Sequence, residues 1–213
     1  MKRLIISYDG NYFFHVNNHM YYDHVKRSRM SFDGVSNLIA DAISKDLENV
    51  LYDDVRTVQS DYFRGRYSTK DIDTTNNSDQ ISFDRVFDDV LMYNNVISRY
   101  SPIREKRGKN TTKGLTVNFA SQTILNAITL KPDYVVLMTP DSDYIPLIRC
   151  LHSLGFKTVI AGFEFESTNS KGEKSITVVS DELKRTCFHY IDMIDLISIT
   201  SLEDDDIYVK NNL

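Results

Sequence analysis

Residues 133–144, with the sequence DYVVLMTPDSDY, decide the fold of this chain. The segment 134–138 is uncharged and of strand length, which is typical of a strand buried on both faces of a parallel α/β sheet. Two carboxylates, Asp141 and Asp143, follow this strand, and a helix-like stretch comes after them. Because ligands of such sheets bind beyond the carboxyl ends of the strands, we expect both aspartates at a functional edge.

A second predicted strand, 3–8, ends in the same way, with Asp9, Gly10 and Asn11. Two strands that bring acidic residues to one edge can hold a divalent cation over a phosphate. We therefore predict that Asp9, Asp141 and Asp143 converge on one solvent-open pocket that binds a cation such as Mg²⁺. The alternative is that they are turn and helix-cap residues, since an aspartate such as Asp143 before a helix is a good N-cap.

The composition indicates one ordinary globular domain. The 213 residues suffice for a single α/β domain, and 41% of them are hydrophobic and 26% charged. No apolar run approaches 18 residues and no signal-peptide pattern follows Met1, so no membrane partner is expected. Cys150 and Cys187 are isolated from each other, which predicts reduced thiols in a cytoplasmic protein.

Predicted strands and helices alternate along the chain, which indicates a doubly wound, mostly parallel sheet with right-handed crossovers. The predicted strands are 3–8, 55–63, 95–100, 134–138 and 157–163, the predicted helices are 34–50, 83–93, 115–130 and 143–154, and a last helix and strand occupy 180–197. Between them we predict a polar connection after the first strand, loops at 68–79 and 101–113, and a hairpin-like insert at 164–176. These elements form one domain, 1–199, and residues 200–213 form an acidic, polar C-terminal tail.

The predicted loop 101–113 lies in a basic stretch, although the net charge of the whole chain is −5. Between positions 99 and 113 a single acid accompanies six basic residues, which are Arg99, Arg104, Lys106, Arg107, Lys109 and Lys113. Such a loop could follow a phosphate backbone, with Tyr100 available for base stacking. A merely solvated loop is the alternative. Lys113 directly precedes a predicted helix N-terminus, where a lysine beside backbone amides can hold an anion.

Other chemistries are disfavoured by the sequence. His15, His19 and His24, with Asp23, could suggest zinc, but no glutamate follows His15 as the metalloprotease signature requires. The glycine-rich fingerprints of dinucleotide and nucleoside triphosphate binding are missing, as is the nucleophile elbow of the α/β-hydrolases. A phosphatase of the haloacid dehalogenase kind, with Asp9 as nucleophile, would need an acid where Asn11 stands.

The motifs resemble those of NYN domains, a branch of the PIN-like nucleases, and in particular their LabA-like group. The resemblance starts at Asp9-Gly10-Asn11 and spans nearly the full chain in the family's order. It continues through residues 113–117 (KGLTV), 135–147 (VVLMTPDSDYIPL), 154–159 (LGFKTV), 180–185 (SDELKR) and 190–192 (YID).

The resemblance implies a three-layer α/β/α fold, an aspartate cluster that binds Mg²⁺ or Mn²⁺, and cleavage of RNA phosphodiesters. By position, the metal-binding and catalytic residues would be Asp9, Asp141 and Asp143. The substrate-binding residues would be Asn11, Lys113 and Ser142, together with the basic-stretch residues Arg104, Arg107 and Lys109.

Three positions depart from the family. Thr116 and Gln122 stand where it carries aspartates, and Pro140 stands where it usually carries glycine. Thr116 and Gln122 can hydrogen-bond a metal-bound water but add no negative charge, so we expect weaker metal binding. The sequence thus predicts a metal-dependent endoribonuclease acting on single-stranded or structured RNA. The alternative is a degenerate NYN domain that binds RNA or a protein without cutting, and a homodimer is also possible.

Overall fold

The structure is a computed structural model that describes residues 1–48, 54–68, 78–106, 109–112, 114–168, 174–200, 203 and 207–209. The strands are β1 (Lys2–Asp9), β2 (Val55–Arg66), β3 (Val96–Lys106), β4 (Lys109–Thr112), β5 (Tyr134–Met138), β6 (Lys157–Gly162), β7 (Phe165–Thr168), β8 (Lys174–Thr177) and β9 (His189–Asp192). The helices are α1 (Gly10–Tyr22), α2 (Phe32–Ile43), α3 (Ser78–Tyr93), α4 (Leu115–Leu130), α5 (Ile145–Ser153), α6 (Asp181–Thr186) and α7 (Met193–Ile199). A π-helical turn at Ser44–Glu48 extends α2, and a 3₁₀ turn at Ser142–Tyr144 precedes α5.

The central sheet has the strand order β4-β3-β2-β1-β5-β6-β9 over the described residues. Its neighbouring strands are parallel except for β3 and β4, which form an antiparallel hairpin. The predicted insert at 164–176 contains a separate antiparallel hairpin, β7–β8. A mostly parallel sheet is therefore confirmed.

Helices cover both faces of this sheet, so the predicted α/β/α layering is confirmed. On β1, Leu4, Ile6 and Tyr8 face a core shared with α1, α2 and the inner side of α3. Ile5, between them, points to the opposite core, where α4, α5 and α6 pack. The two-residue period of a strand buries both faces at once in the middle of the sheet, which is why β5 carries no charged residue.

Two segments predicted as connections are regular structure. The polar connection after the first strand is largely α1, whose apolar residues recur at helical spacing and are buried: Tyr12, Phe13, Val16 and Met20. The loop predicted at 101–113 is largely the β3–β4 hairpin, in which Ile103 pairs with Thr112. Backbone pairing with a neighbouring strand fixes this hairpin, and it leaves no apolar alternation in the sequence.

Part of the predicted C-terminal tail packs against the domain. Ile207 and Tyr208 are buried. The backbone N–H of Ser31 donates to the Ile207 carbonyl at 3.0 Å, and the N–H of Val209 donates to the Arg29 carbonyl at 2.8 Å. Residues 207–209 therefore cover the connection between α1 and α2.

Candidate functional site

The aspartates lie where the chain changes direction across the sheet. Strand β1 has β2 on one side and β5 on the other, and Tyr8 pairs with Met138 in parallel register. Asp9 ends β1, and Asp141 follows β5 after two residues, at the same edge. Ligands of open α/β sheets bind in the crevice at such a switch point. The predicted placement of two acid-bearing strand ends side by side is confirmed.

Asp9 is the N-cap of α1. Its Oδ1 accepts hydrogen bonds from the backbone N–H groups of Asn11 at 3.1 Å and Tyr12 at 3.3 Å. Gly10 is needed because a Cβ there would lie 2.6 Å from the carbonyl oxygen of Phe63 on β2. The helix therefore starts in close contact with the sheet, and the Asp9 carboxylate is held at the edge.

Asp141 has the same role in the next loop. Its Oδ1 accepts from the backbone N–H of Asp143 at 2.9 Å and caps the 3₁₀ turn before α5. Its own N–H donates to the Thr139 hydroxyl at 3.4 Å. The cap interpretation is thus correct for Asp9 and Asp141, whereas Asp143 is an exposed residue inside the turn. A cap uses one oxygen of a carboxylate, so both residues can still bind a cation through the other.

Burial and charge both act on Asp9. Burial raises the pKa of the Asp9 carboxyl, and the neighbouring Asp141 charge raises it further. The two capping N–H groups and the nearby His15 lower the pKa and only partly offset this. A buried carboxylate with a second carboxylate beside it creates a place where a cation is stabilising.

Tyr144 lies at the centre of the site, although the sequence analysis assigned it no role. Burial raises the pKa of its hydroxyl, and the charges of Asp9, Asp141 and Asp143 add to this. The same hydroxyl is hydrogen-bonded to the side chain of Thr116, the second residue of α4. The structure therefore brings the three aspartates and Thr116 around one phenol. The sequence signal for Tyr144 was its position directly after Asp143 in the motif.

The donor set fits a hard divalent cation only in part. Among the described residues, no group of three or more His, Cys, Asp or Glu side chains is arranged to hold a metal ion. The three-carboxylate ligand set therefore remains a prediction, and the Asp141 charge acts on Asp9. Mg²⁺ is commonly bound by one or two carboxylates, with waters and phosphate oxygens as its other ligands. The oxygen chemistry of this pair, with Tyr144 and Thr116 beside it, fits such a site.

The other predicted residues differ in how closely they relate to this centre. Asn11 is exposed in the first turn of α1, and Ser142 is exposed in the 3₁₀ turn. Arg104 and Lys109 lie on the two strands of the β3–β4 hairpin. Arg107 and Lys113 lie outside the described residues.

Gln122 shares a helix with Thr116 but not a helix face. Six residues at 3.6 per turn rotate its side chain roughly 120° away from that of Thr116 and move it about 9 Å along α4. The residue one turn after Thr116 is Ala120, which packs against the core. Helix geometry therefore separates the two positions that the family resemblance had grouped together.

The histidines considered for zinc lie on α1 and the turn after it. His19 stacks on Phe165 with 4.2 Å between ring centroids, and its Nδ1 lies 3.5 Å from Asp23 Oδ2. His15 instead lies close enough to Asp9 to lower the pKa of that carboxyl. His15 lies four residues after Asn11, so on a helix both side chains lie on one face, near the Asp9 cap. No helix was predicted here from the sequence, so the closeness of His15 to Asp9 was missed.

A three-layer α/β/α domain with aspartates at the switch point of its sheet is the arrangement that the sequence resemblance implies. Residues 3–195 match the NYN domain family, and the chain belongs to that family. NYN domains are generally nuclease-like, RNA-binding and metal-dependent. Of the helices in the described part of the chain, none has the length and apolarity to cross a membrane.

Solved structures support the fold and carry no functional information. A protein of unknown function, VPA0982 from Vibrio parahaemolyticus RIMD 2210633, is similar with a TM-score of 0.53 and 14% identity. The match covers 98% of this chain and 96% of that one. MurG from Acinetobacter baumannii matches 76% of this chain and 35% of its own, with 12% identity and a TM-score of 0.34, too low for any inference. Comparison with curated proteins gave no match.

Proposed function

We propose that this protein is a metal-dependent ribonuclease that hydrolyses RNA phosphodiester bonds at the edge formed by β1 and β5. The observation that carries the proposal is the placement of Asp9 and Asp141 at the carboxyl ends of the paired strands β1 and β5, at the switch point of the sheet. A bound Mg²⁺ or Mn²⁺ supplies charge neutralisation and an activated water in reactions of this class. Asp9 and Asp141 would hold the ion, with Asp143 and Asn11 beside them.

The residues around the aspartates suit a phosphate substrate. Helices α1 and α4 both begin next to the site, and the positive ends of their dipoles favour an anion there. The β3–β4 hairpin, which carries Arg104 and Lys109, extends from the same edge of the sheet because β3 is parallel to β1. Tyr144 and Thr116 can orient water or a phosphate oxygen through their hydroxyl groups. RNA can therefore contact helix N-termini and hydroxyl groups beside the acidic pair.

A second candidate function is a non-catalytic NYN domain that binds RNA or a protein partner. Thr116 supplies a hydroxyl where the family resemblance expects a carboxylate, and Gln122 lies on another face of α4. The described residues contain no cluster of three acids arranged for a metal ion. Weak metal binding would reduce cleavage before it reduced RNA binding, since much of RNA affinity comes from phosphate contacts.

Cleavage of a single-stranded RNA panel by purified wild type, with Mn²⁺ or EDTA, tests the first proposal. Asp141→Asn keeps the size and the capping oxygen but removes the charge, so we expect at least about a 100-fold loss of the Mn²⁺-dependent rate. Asp89→Asn, at an exposed aspartate on α3, is the matched control and should cut like the wild type. Full activity in EDTA, or undiminished cleavage by Asp141→Asn, would refute the mechanism. No cleavage by the wild type would favour the binding domain.

A further inference from the structure

A large groove lies on the α1 face of the sheet. It encloses about 800 Å³ between α1, α3 and the connection that leads into α2. Its surface is mostly apolar, and the aromatic lining side chains include Phe13, Phe14, Phe32, Tyr62, Phe83 and Phe87. Carboxamides also reach it, among them Asn18 of α1 and Asn94 just after α3. Pockets of about 300–1,000 Å³ with apolar walls and a few polar groups are typical of ligand sites.

The Arg64 guanidinium packs against three of the rings that line this groove. Arg64 lies over the rings of Phe14 at 6.0 Å, Phe83 at 5.7 Å and Phe87 at 5.7 Å from its Cζ. Asp84 holds the guanidinium from the side, with a 3.8 Å contact to its Nη1. Cation–π attraction of this kind fixes the orientation of the rings. Phe14 and Phe83 nevertheless remain 38% exposed, so each presents an aromatic surface to solvent.

Two residues that line the groove lie near the candidate active site. Phe14 lies on α1 five residues after its N-cap Asp9, and Tyr62 donates a hydrogen bond to the carbonyl of Gly10 at 2.8 Å, directly after Asp9. Burial raises the pKa of Tyr62, the Arg64 charge opposes this shift and the Asp9 charge adds to it. Tyr62 therefore lies within reach of both Asp9 and Arg64. A nucleotide next to a phosphate at Asp9 would meet the groove first at Phe14, which lies in the first turns of α1.

We propose that this groove holds an unpaired nucleobase of the RNA strand whose phosphate lies at Asp9 and Asp141, with the base stacked on Phe14 and Phe83. This inference rests on the proposed function and narrows it to single-stranded RNA. Aromatic faces stack on every base, and asparagine carboxamides can hydrogen-bond base edges. A base in an A-form duplex is stacked and paired, so it cannot enter the groove without being unstacked.

The favoured occupant is a base rather than an apolar protein segment because of the polar groups. A groove for an amphipathic helix needs apolar anchor pockets, and charge serves mainly at its rim. Here the Arg29 guanidinium and several carboxamides line the groove, and Tyr62 links it to Gly10, the residue after Asp9. Those features match a nucleotide, which has a flat base at one end and a phosphate at the other.

The chain has no tryptophan, so one introduced indole reports on one place. Tyr93 lines the groove and is 81% exposed, which makes Tyr93→Trp a suitable reporter. We expect a single-stranded hexanucleotide in EDTA to quench its fluorescence saturably, and a duplex of the same sequence to have little effect. Leu154→Trp, at an exposed position directly after α5 and outside the groove, is the control and should not respond. Equal responses of the two reporters, or none from Tyr93→Trp, would overturn the proposal.

Variants of Phe14 and Phe83 distinguish the loss of base stacking from the loss of apolar packing. Phe14→Leu and Phe83→Leu keep apolar bulk but lose the aromatic face, so each should weaken the hexanucleotide Kd, measured by anisotropy, about tenfold or more. Phe14→Tyr and Phe83→Tyr keep the ring and should bind like the wild type. Thermal midpoints of all four check that they fold. Unchanged affinity in both leucine variants would overturn the base site and leave the groove to a protein segment.

The two proposals can fail independently. If Asp141→Asn loses cleavage, and RNA still quenches the Tyr93→Trp fluorescence in the Asp141→Asn background, both proposals stand. Cleavage by the wild type without groove quenching keeps the nuclease and refutes the base site. Groove quenching without any metal-dependent cleavage keeps the base site as part of a binding domain.

Discussion

The hydroxyl of Tyr144 is hydrogen-bonded to the side chain of Thr116, across the gap between the turn after β5 and the first turn of α4. Because Asp9, Asp141 and Asp143 all act on the same hydroxyl, position 116 faces the acidic centre. A carboxylate at this position would therefore join the pair of Asp9 and Asp141. Gln122 lies on the same helix but on another face, so it does not face the acidic centre.

Thr116→Asp should tighten Mn²⁺ binding. A third carboxylate adds negative charge to a hard-cation site, and tenfold tighter binding adds about 1.4 kcal/mol of stabilisation at saturating Mn²⁺. Without metal, repulsion from Asp9 and Asp141 opposes the favourable helix-dipole effect at the start of α4, so the thermal midpoint should fall slightly. The measurement is the thermal midpoint as a function of Mn²⁺ concentration.

Gln122→Asp is the matched control for that experiment, because it adds the same charge to the same helix on another face. Its midpoint should respond to Mn²⁺ as the wild type does. An equal gain in both variants would mean that general charge causes the effect. No gain in Thr116→Asp would mean that position 116 does not face the metal.

The strands and their terminal aspartates could be predicted because their signals are local. An uncharged strand such as 134–138 must be buried on both faces, and the carboxyl ends of parallel strands share an edge. The adjacency of β1 and β5 confirms this part of the prediction. The family resemblance then named the aspartates, and the register showed why Asp9 and Asp141 meet.

Other features depend on contacts between distant segments, which the sequence does not reveal. Helix α1 is rich in asparagine and aromatic residues, whose helix propensities are modest, and its stability comes from the buried stripe and the Asp9 cap. The β3–β4 hairpin is defined by backbone pairing rather than by an apolar pattern. The docking of 207–209 depends on Gly34, 173 residues before Ile207, and no local pattern shows it.

Gly34→Ala should destabilise the protein, although a change from glycine to alanine in a helix usually stabilises it. Alanine in a helix interior is normally favoured over glycine by about 0.5–1 kcal/mol. At position 34, however, a Cβ would lie 2.2 Å from the Ile207 carbonyl oxygen, so α2 or the C-terminal segment must move. We expect a loss of about 1–3 kcal/mol, as for overpacking. Chemical denaturation measures the free energy of unfolding.

Removing residues 207–213 gives the complementary experiment for this contact. The truncated chain should itself be less stable, since Ile207 and Tyr208 no longer cover the core. In that background Gly34→Ala should become neutral or stabilising. A destabilisation of equal size in both backgrounds would show that the cost does not come from the C-terminal segment.

Gly10→Ala should disturb the site as well as the fold. Its Cβ would lie 2.6 Å from the Phe63 carbonyl oxygen and 2.7 Å from the Tyr62 ring, and the backbone oxygen cannot yield cheaply. Helix α1 must then move away from β2, and the Asp9 carboxylate moves with it. We expect about 1–3 kcal/mol lower stability and a weaker response of the thermal midpoint to Mn²⁺. A loss of stability with an unchanged Mn²⁺ response would mean that a shift of the start of α1 does not move the Asp9 carboxylate.

Asp9→Asn should stabilise the metal-free protein at neutral pH. Folding raises the pKa of Asp9 above its ordinary value of 3.8, first through burial and then through Asp141, against the opposing backbone N–H groups and His15. A carboxyl whose pKa is raised binds its proton more tightly in the folded state, so ionisation costs stability. The cost is missing below the ordinary value and is complete above the folded pKa. Asparagine keeps the N-cap but does not ionise.

Melting in EDTA from pH 4 to pH 8 checks the sign of this effect. The advantage of Asp9→Asn over the wild type should be largest at pH 7 to 8 and should shrink as the pH falls towards 4. Saturating Mn²⁺ at pH 7 should reverse the order, because only the wild type keeps both carboxylates that hold the ion. The exposed control Asp89→Asn should show neither trend. A variant that melts below the wild type in EDTA at pH 7 would mean that the charged cap outweighs the burial of Asp9.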